Sequence, residues 1–505
     1  MKTIFAVLFS FISILSIAQK KEKIQILNAD DFIYSEKTNR DVQKLVGNVR
    51  LKHQDALMFC DSAYVYKLTN QMEAFGNVKI KQGDTLSLTG NYLKYDGNTK
   101  IADVRENVVL NRPDISLTTD KLILNRTTNI AFYLNGANIN SKTDNNKLFS
   151  RKGYYYINKD IFFFKDSVVL TNENYVMKSD TMKYWTTTEE AFFFGPTEII
   201  SDDNYIYCEN GYYNTVNEKS KFYKNAYLIS SKQKLMGDTL TYDRIKGYGE
   251  ARGHISIIDT SNNITVKGGL AKFYEQSDSA EVTKKALLVQ PFEEDTLFMH
   301  AQLFRVFPNK EGKRVMQAFY HVNLFKSDLQ GSCDSLAYAF TDSTLKMFYQ
   351  PILWSEQNQI TGTIVNISMR NGKIDKLYIP ENSFITSEVD STRFNQIKGK
   401  QLTGNFFDNK LKKVFIEGNG QTIYYGQDEQ KKFIGVNRAE SSDLLIGLKE
   451  NEIETITFMN DPDATLYPLN ELKPDELLLG GFNWKIEFRP LKMSDVFIWN
   501  RGELR

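Results

Sequence analysis

The side chains best suited to bond-making chemistry are few in this chain, and their spacing joins none of them. His53, His254, His300 and His321 are the only histidines among 505 residues, and they fall into neither H-x-x-x-H nor H-E-x-x-H order. A helix-borne zinc pair is thereby excluded, and nothing marks a nucleophile for a histidine-centred triad. Cys60, Cys208 and Cys333 lie far apart in sequence. Carboxylates are abundant, but general acid and base work needs two of them converging on one bond. Asp202-Asp203 and Glu293-Glu294-Asp295 are the local clusters, and both read as solvated acidic turns. No glycine motif of the phosphate-cradling kind stands between a strand and a helix. No catalytic residue, metal ligand or cofactor is expected.

What the chain has instead is a period. VGNVRL, FGNVKI, RENVVL, KDSVVL, FGPTEI, KNAYLI and RGHISI align on Gly47, Gly76, Glu106, Asp166, Gly195, Asn225 and Gly253. The successive intervals are 29, 30, 60, 29, 30 and 28 residues, and Gly136 divides the sixty. A second box follows the first in most units, at Asp61, Gly90, Asp120, Asp180 and Glu209, and NADDFIY at 28–34 looks like the second half of a unit. An acidic residue that recurs once per unit reads as a turn cap, not as half of a catalytic pair. The three cysteines each precede a second-box position, so they share one structural column in non-adjacent units, too far apart to bridge. They read as small, semi-buried core residues.

Each unit must supply strands. Val78 and Ile80 alternate with Lys79 and Lys81, and Leu86 and Leu88 with Ser87 and Thr89. A period of two gives a strand one apolar face, and the turn residues Gln82 to Asp84 and Asp96 to Asn98 separate the strands. One such bent strand pair is too small to bury its own apolar face, so the units have to stack. The composition agrees, with 13% aromatic residues and only ten prolines. The expected architecture is all-β, an elongated solenoid of about twelve ~30-residue repeats. Boundaries are read at 1–18 for a signal peptide, 19–360 for the repeats, 361–460 for β repeats of longer period and 461–505 for a C-terminal cap. That last part holds a short helical candidate around Glu471 to Leu478 and Trp484, and reads as an element that blunts or specialises one edge of the stack.

Lys2, the apolar run from Ile4 to Ile17 and the Ser16-Ile17-Ala18 cleavage pattern predict an exported protein. The run falls short of the ~20 residues that a spanning helix needs. With 63 basic and 62 acidic residues the net charge is +1, which argues against a nucleic-acid partner bound by bulk charge.

GNVRLKHQDALMFCDSAYVY and GNVKIKQGDTLSLTGNYLKY, preceded by IQILNADDFIY, resemble the OstA-like periplasmic lipopolysaccharide-transport family that includes LptA, LptC and the N-terminal part of LptD. EGNGQTIYYGQDEQKKFIGVNRAESSDLLIGLKENEIETITF resembles the family's terminal repeat, so the likeness runs over most of residues 24–460. It implies a twisted, V-shaped β-jellyroll in the periplasm whose apolar interior shelters the acyl chains of lipid A. It also implies partners, since such proteins join edge to edge with jellyroll domains of the inner-membrane and outer-membrane transport machinery. The groove-lining positions implied are Val49, Leu51, Val78, Ile80, Leu86, Leu88, Val108, Leu110, Ile115, Leu117, Val168, Leu170 and Val176. From pattern alone the same residues equally describe the packed core of a closed solenoid. The chain has more units than small members of the family, and too little sequence after residue 460 for the membrane barrel of the large ones. Two other functions fit a β solenoid: a polysaccharide-active enzyme on a right-handed β-helix, and a structural or adhesive envelope protein.

Overall fold

The computed structural model describes residues 22–34, 41–83, 86–143, 145–202, 204–230, 232–293, 295–370, 373–408, 410–449 and 452–502. The expected signal peptide at 1–18, Asp84 of the first turn, Asp203 and Glu294 lie outside the described residues. The chain forms two compact units, Met1–Phe194 and Gly195–Arg505.

In the N-terminal unit, long strands run back and forth as antiparallel hairpins, among them Val42–His53, Ala56–Tyr66, Gln71–Gln82, Leu86–Asp96, Ile101–Asn111 and Ile115–Asn125. The first box of the repeat is the corner of every second strand. Gly47 and Asn48 have φ of 76° and 46°, Gly76 and Asn77 72° and 43°, and Glu106 and Asn107 63° and 52°. Two successive left-handed residues bend the strand and shift its register, as between Val46 and Val49. Glycine and asparagine tolerate that conformation, which otherwise costs about 1–2 kcal/mol per residue.

The second box holds the corner. Asn48 Nδ2 donates to Asp30 at 2.8 Å and Asn77 Nδ2 to Asp61 at 2.9 Å. A Cβ on Gly47 or Gly76 would run into those same carboxylates. In the C-terminal unit Asn225 donates to Glu209 at 2.7 Å, His254 meets Asp238 at 2.9 Å, and Asn460 donates to Asp443 at 3.0 Å. At the hairpin ends a further recurrent group closes the turn. Asp96 accepts from the Asn98 and Thr99 amides, Asn125 from Thr127 and Thr128, and Asn214 from Val216 and Asn217.

The bend folds each sheet back on itself. Tyr95 is in register with Met72, which pairs with Val65 and so with Gln43, at the opposite end of its strand from His53. Yet the Tyr95 hydroxyl lies 2.6 Å from His53 Nδ1. The two strand halves therefore face one another across an apolar interior.

In the C-terminal unit the bent strands continue from Asn204–Asn214 to Leu329–Ala339. From Thr344 the corners become breaks, and pairs such as Thr344–Phe348 with Ile352–Ser355 replace single long strands. A hairpin of Lys410–Gln427 and Phe433–Lys449 follows. Residues 471–478 form turns instead of the expected helix; Pro474 within it disfavours helical backbone at Lys473 and leaves a stretch too short to nucleate one. The tail does not stay at an edge. Asp463–Tyr467 pairs with the 436–440 stretch, and the chain then runs back across the outer face of the sheet.

A row of buried side chains on that face anchors it. Gln330, Trp354, Gln359, Thr386, Gln396 and Ile423 are successive register partners, none more than 3% exposed. Gln396 donates to the Leu477 carbonyl at 2.9 Å and accepts from the Leu479 amide at 2.8 Å. Gln359 does the same for Asn483 and Lys485, both at 2.7 Å. Arg489 donates to Gln330 at 2.8 and 2.6 Å, and Asn323 to the Ile498 carbonyl at 2.7 Å. Leu479 completes a second core with Phe384, Ile423, Tyr425 and Val436.

Candidate functional site

The inward apolar row can be followed strand by strand. In the N-terminal unit Leu51 pairs with Met58, then Ile80, Leu88, Leu110, Leu117, Ile139, Leu148, Leu170 and Met177. From Leu51 to Leu117 these residues are at most 2% exposed. Val49, Val78, Val108 and Val168 form a buried row beside it, each 1% exposed. Leu86 and Ile115 are buried near the strand ends, and Leu170 is half-buried. Val176 departs from the expected column. Its partner is Thr171, while Met177 is the residue opposite Leu170, and a step of one residue turns a side chain to the other face.

Polar side chains join the strand ends across this interior. Arg126, with its side chain only 3% exposed, donates to the Tyr95 hydroxyl at 3.0 Å and the His53 carbonyl at 3.2 Å, and pairs with Asp55. His53 Nε2 lies 3.1 Å from the Glu22 carbonyl, which can only accept, so the ring carries its proton there and Nδ1 accepts from Tyr95. Burial lowers the His53 pKa, in keeping with that neutral ring, and raises that of Tyr95 against the pull of Arg126. Further along, Arg112 donates to Asp160 at 2.6 Å and lies over the Tyr155 ring.

The equivalent row of the C-terminal unit is Ile206, Leu228, Leu235, Ile257 and Val266, again successive register partners. All five are half-buried. The row becomes fully buried again at Leu288 and Met299. An apolar trough thus lies open over the strands Asn204–Asn214 to Ile264–Tyr274.

Cys60, Cys208 and Cys333 are buried free thiols, each pushed up to about 12 by burial. His300 packs on Phe497 and His321 stacks on Trp499, both against the tail. Among the described residues no three of His, Cys, Asp and Glu gather as a metal site would require, and no helix is long and apolar enough to cross a membrane. The seam bridges and the tail's anchors escaped sequence reasoning. Their only signals were the polar residues His53 and Arg126 beside apolar runs and the glutamines within strands.

No curated protein matches the chain. Among solved structures, LptH of Pseudomonas aeruginosa, described as the LptA homologous periplasmic component of the conserved lipopolysaccharide transport device, is similar at 10% identity. The likeness covers 23% of this chain and 81% of that one, with a TM-score of 0.21. The model of the OstA-like protein family matches residues 21–180 and 168–238, two overlapping segments that span rather less than half of the chain. Over residues 21–238 the chain is thus similar to the OstA-like protein family.

Proposed function

We propose that the protein is a non-enzymatic periplasmic carrier or bridge for lipopolysaccharide, holding lipid A acyl chains along its inward apolar row. The observation that carries this reading is the half-buried row Ile206, Leu228, Leu235, Ile257 and Val266. An apolar row left partly in water gains about 25 cal/mol per Å² when a lipid chain covers it, and similar neighbouring sites let the chain pass from one layer to the next. The OstA-like stretch suggests the class of cargo. In this conformation lipid is seated first in the C-terminal unit. The inward positions of the N-terminal unit, from Val49 and Leu51 to Val168 and Leu170, accept it only when the Arg126 and Arg112 bridges part. Edge-to-edge contacts with jellyroll domains at the inner and outer membranes would deliver and receive the lipid.

Photo-crosslinkers at Leu235 and Ile257 should capture lipopolysaccharide in cells, those at Leu88 and Leu110 far less, and one at the outward-facing Tyr227 none. Equal capture at 227 and 235 would refute the reading.

A further inference from the structure

A crevice of about 760 Å³ lies on the C-terminal unit where the strand corners meet the returning tail. Its walls include Tyr349, Gln350, Asn382 and Phe384, and the tail adds Asn483 and Lys485. The volume suits a sugar-sized ligand. The tail is fixed there, because Gln359 holds both the Asn483 carbonyl and the Lys485 amide at 2.7 Å. Arg501 is anchored alongside, donating to the Gln350 carbonyl at 2.6 Å and to Ser332 Oγ at 3.0 Å.

The charge in this crevice is one-sided. Among the described residues no carboxylate lies within ion-pair distance of the Lys485 ammonium. Burial and the neighbouring Arg501 guanidinium both lower its pKa, Glu487 opposes them, and Asp334 lies near Arg501. A half-buried cation facing a cavity, repelled by a second cation, is stabilised by an anion from outside. Asn483 and Gln350 add amide side chains to the walls, as does Asn382, whose Nδ2 already donates to Thr363 Oγ1 at 3.1 Å, and Tyr349, 58% exposed, offers an aromatic face. Amides around an aromatic platform match a ring that is polar at its edge and apolar on its face.

We propose that this crevice binds a sugar-sized ligand bearing one anionic group, phosphate or carboxylate, with Lys485 taking the anion and Tyr349 and the flanking amides the ring. The site is separate from the apolar trough and does not depend on a lipid filling it.

Isothermal titration of the full chain with glucose 1-phosphate, glucuronate, glucose and inorganic phosphate tests it. At least one charged sugar should bind saturably, with glucose and free phosphate each about tenfold weaker or more. The stronger of the two charged sugars names the anion. Lys485→Gln should weaken binding about tenfold, and Lys485→Arg should recover most of it. A measurement on the unaltered chain guards against a misfolded variant: the bound sugar should slow acetylation of Lys485 and leave that of the exposed Lys449 unchanged. No saturable binding of either charged sugar, equal binding of free phosphate, or unchanged Lys485 acetylation would overturn the proposal.

Discussion

Two rows of aliphatic side chains occupy the same repeat position and meet different fates. Leu51, Met58, Ile80, Leu88 and Leu110 are sealed in the N-terminal unit, while Ile206, Leu228, Leu235, Ile257 and Val266 are half in water in the C-terminal unit. Residue type does not separate them, and neither does register. The difference lies at the strand ends. Where Arg126, Tyr95, His53 and Asp55 join opposite ends, the row between is buried. One apolar row thus runs through both units, and it is sealed where polar side chains cross the seam.

The comparison breaks most readily at the rows themselves. Leu88→Ala should destabilise the N-terminal unit by about 2–5 kcal/mol, because it opens a cavity in a packed interior. Leu235→Ala, which removes atoms already partly hydrated, should cost about 1 kcal/mol. Equal losses in denaturant unfolding would mean that the two rows are packed alike.

The corners provide a second contrast. Gly76 takes φ of 72° with the Asp61 carboxylate where a Cβ would go, whereas the glycine's place at the later corner is taken by Lys224, one residue before the Asn225 that the repeat alignment put there, with φ of 58° and a full side chain. Gly76→Ala should therefore cost about 2 kcal/mol. Lys224→Gly should stay within about 0.5 kcal/mol of the parent, since relief of left-handed strain offsets added chain entropy. A cost for Lys224→Gly as large as that for Gly76→Ala would show that the corner depends on the side chain and not on backbone freedom.

The seam should respond to acid, with a smaller effect. His53 is held below the ordinary histidine range, so the unfolded chain binds its proton first as pH falls. Its contribution to stability is complete above about pH 6.5 and is lost as pH falls below that value, by at most about 1.4 kcal/mol per pH unit. His300, lowered by burial as well, adds a loss of the same sign in the other unit. Unfolding measured from pH 7 to pH 5 should show a shallower decline in His53→Gln than in the parent, and an unchanged slope would remove His53 from the seam's energetics.

Much of this architecture was legible in the chain. The spacing of Gly47, Gly76 and Gly253 marked the corners, and the recurring carboxylates marked their caps, because both depend on backbone conformation within a few residues. Alternation placed Val78, Ile80, Leu86 and Leu88 inward for the same reason. Val176 was misplaced by one residue, since an apolar pair such as Val176-Met177 does not say which member faces in until its partner strand is known. The stretch 471–478 carried helix-forming residues, but its carbonyls and amides are held by Gln396 and Arg438 from strands far away in sequence.

Sequence alone therefore determined the period, the bend and the apolar face of each layer, because these are local properties of backbone and side-chain alternation. Tertiary structure decided which stretch of the row is open, what the tail covers, and where Lys485 meets a cavity. Those outcomes depend on contacts such as His53 with Tyr95, Gln359 with Asn483 and Arg501 with Gln350, made between residues that no repeat spacing brings together.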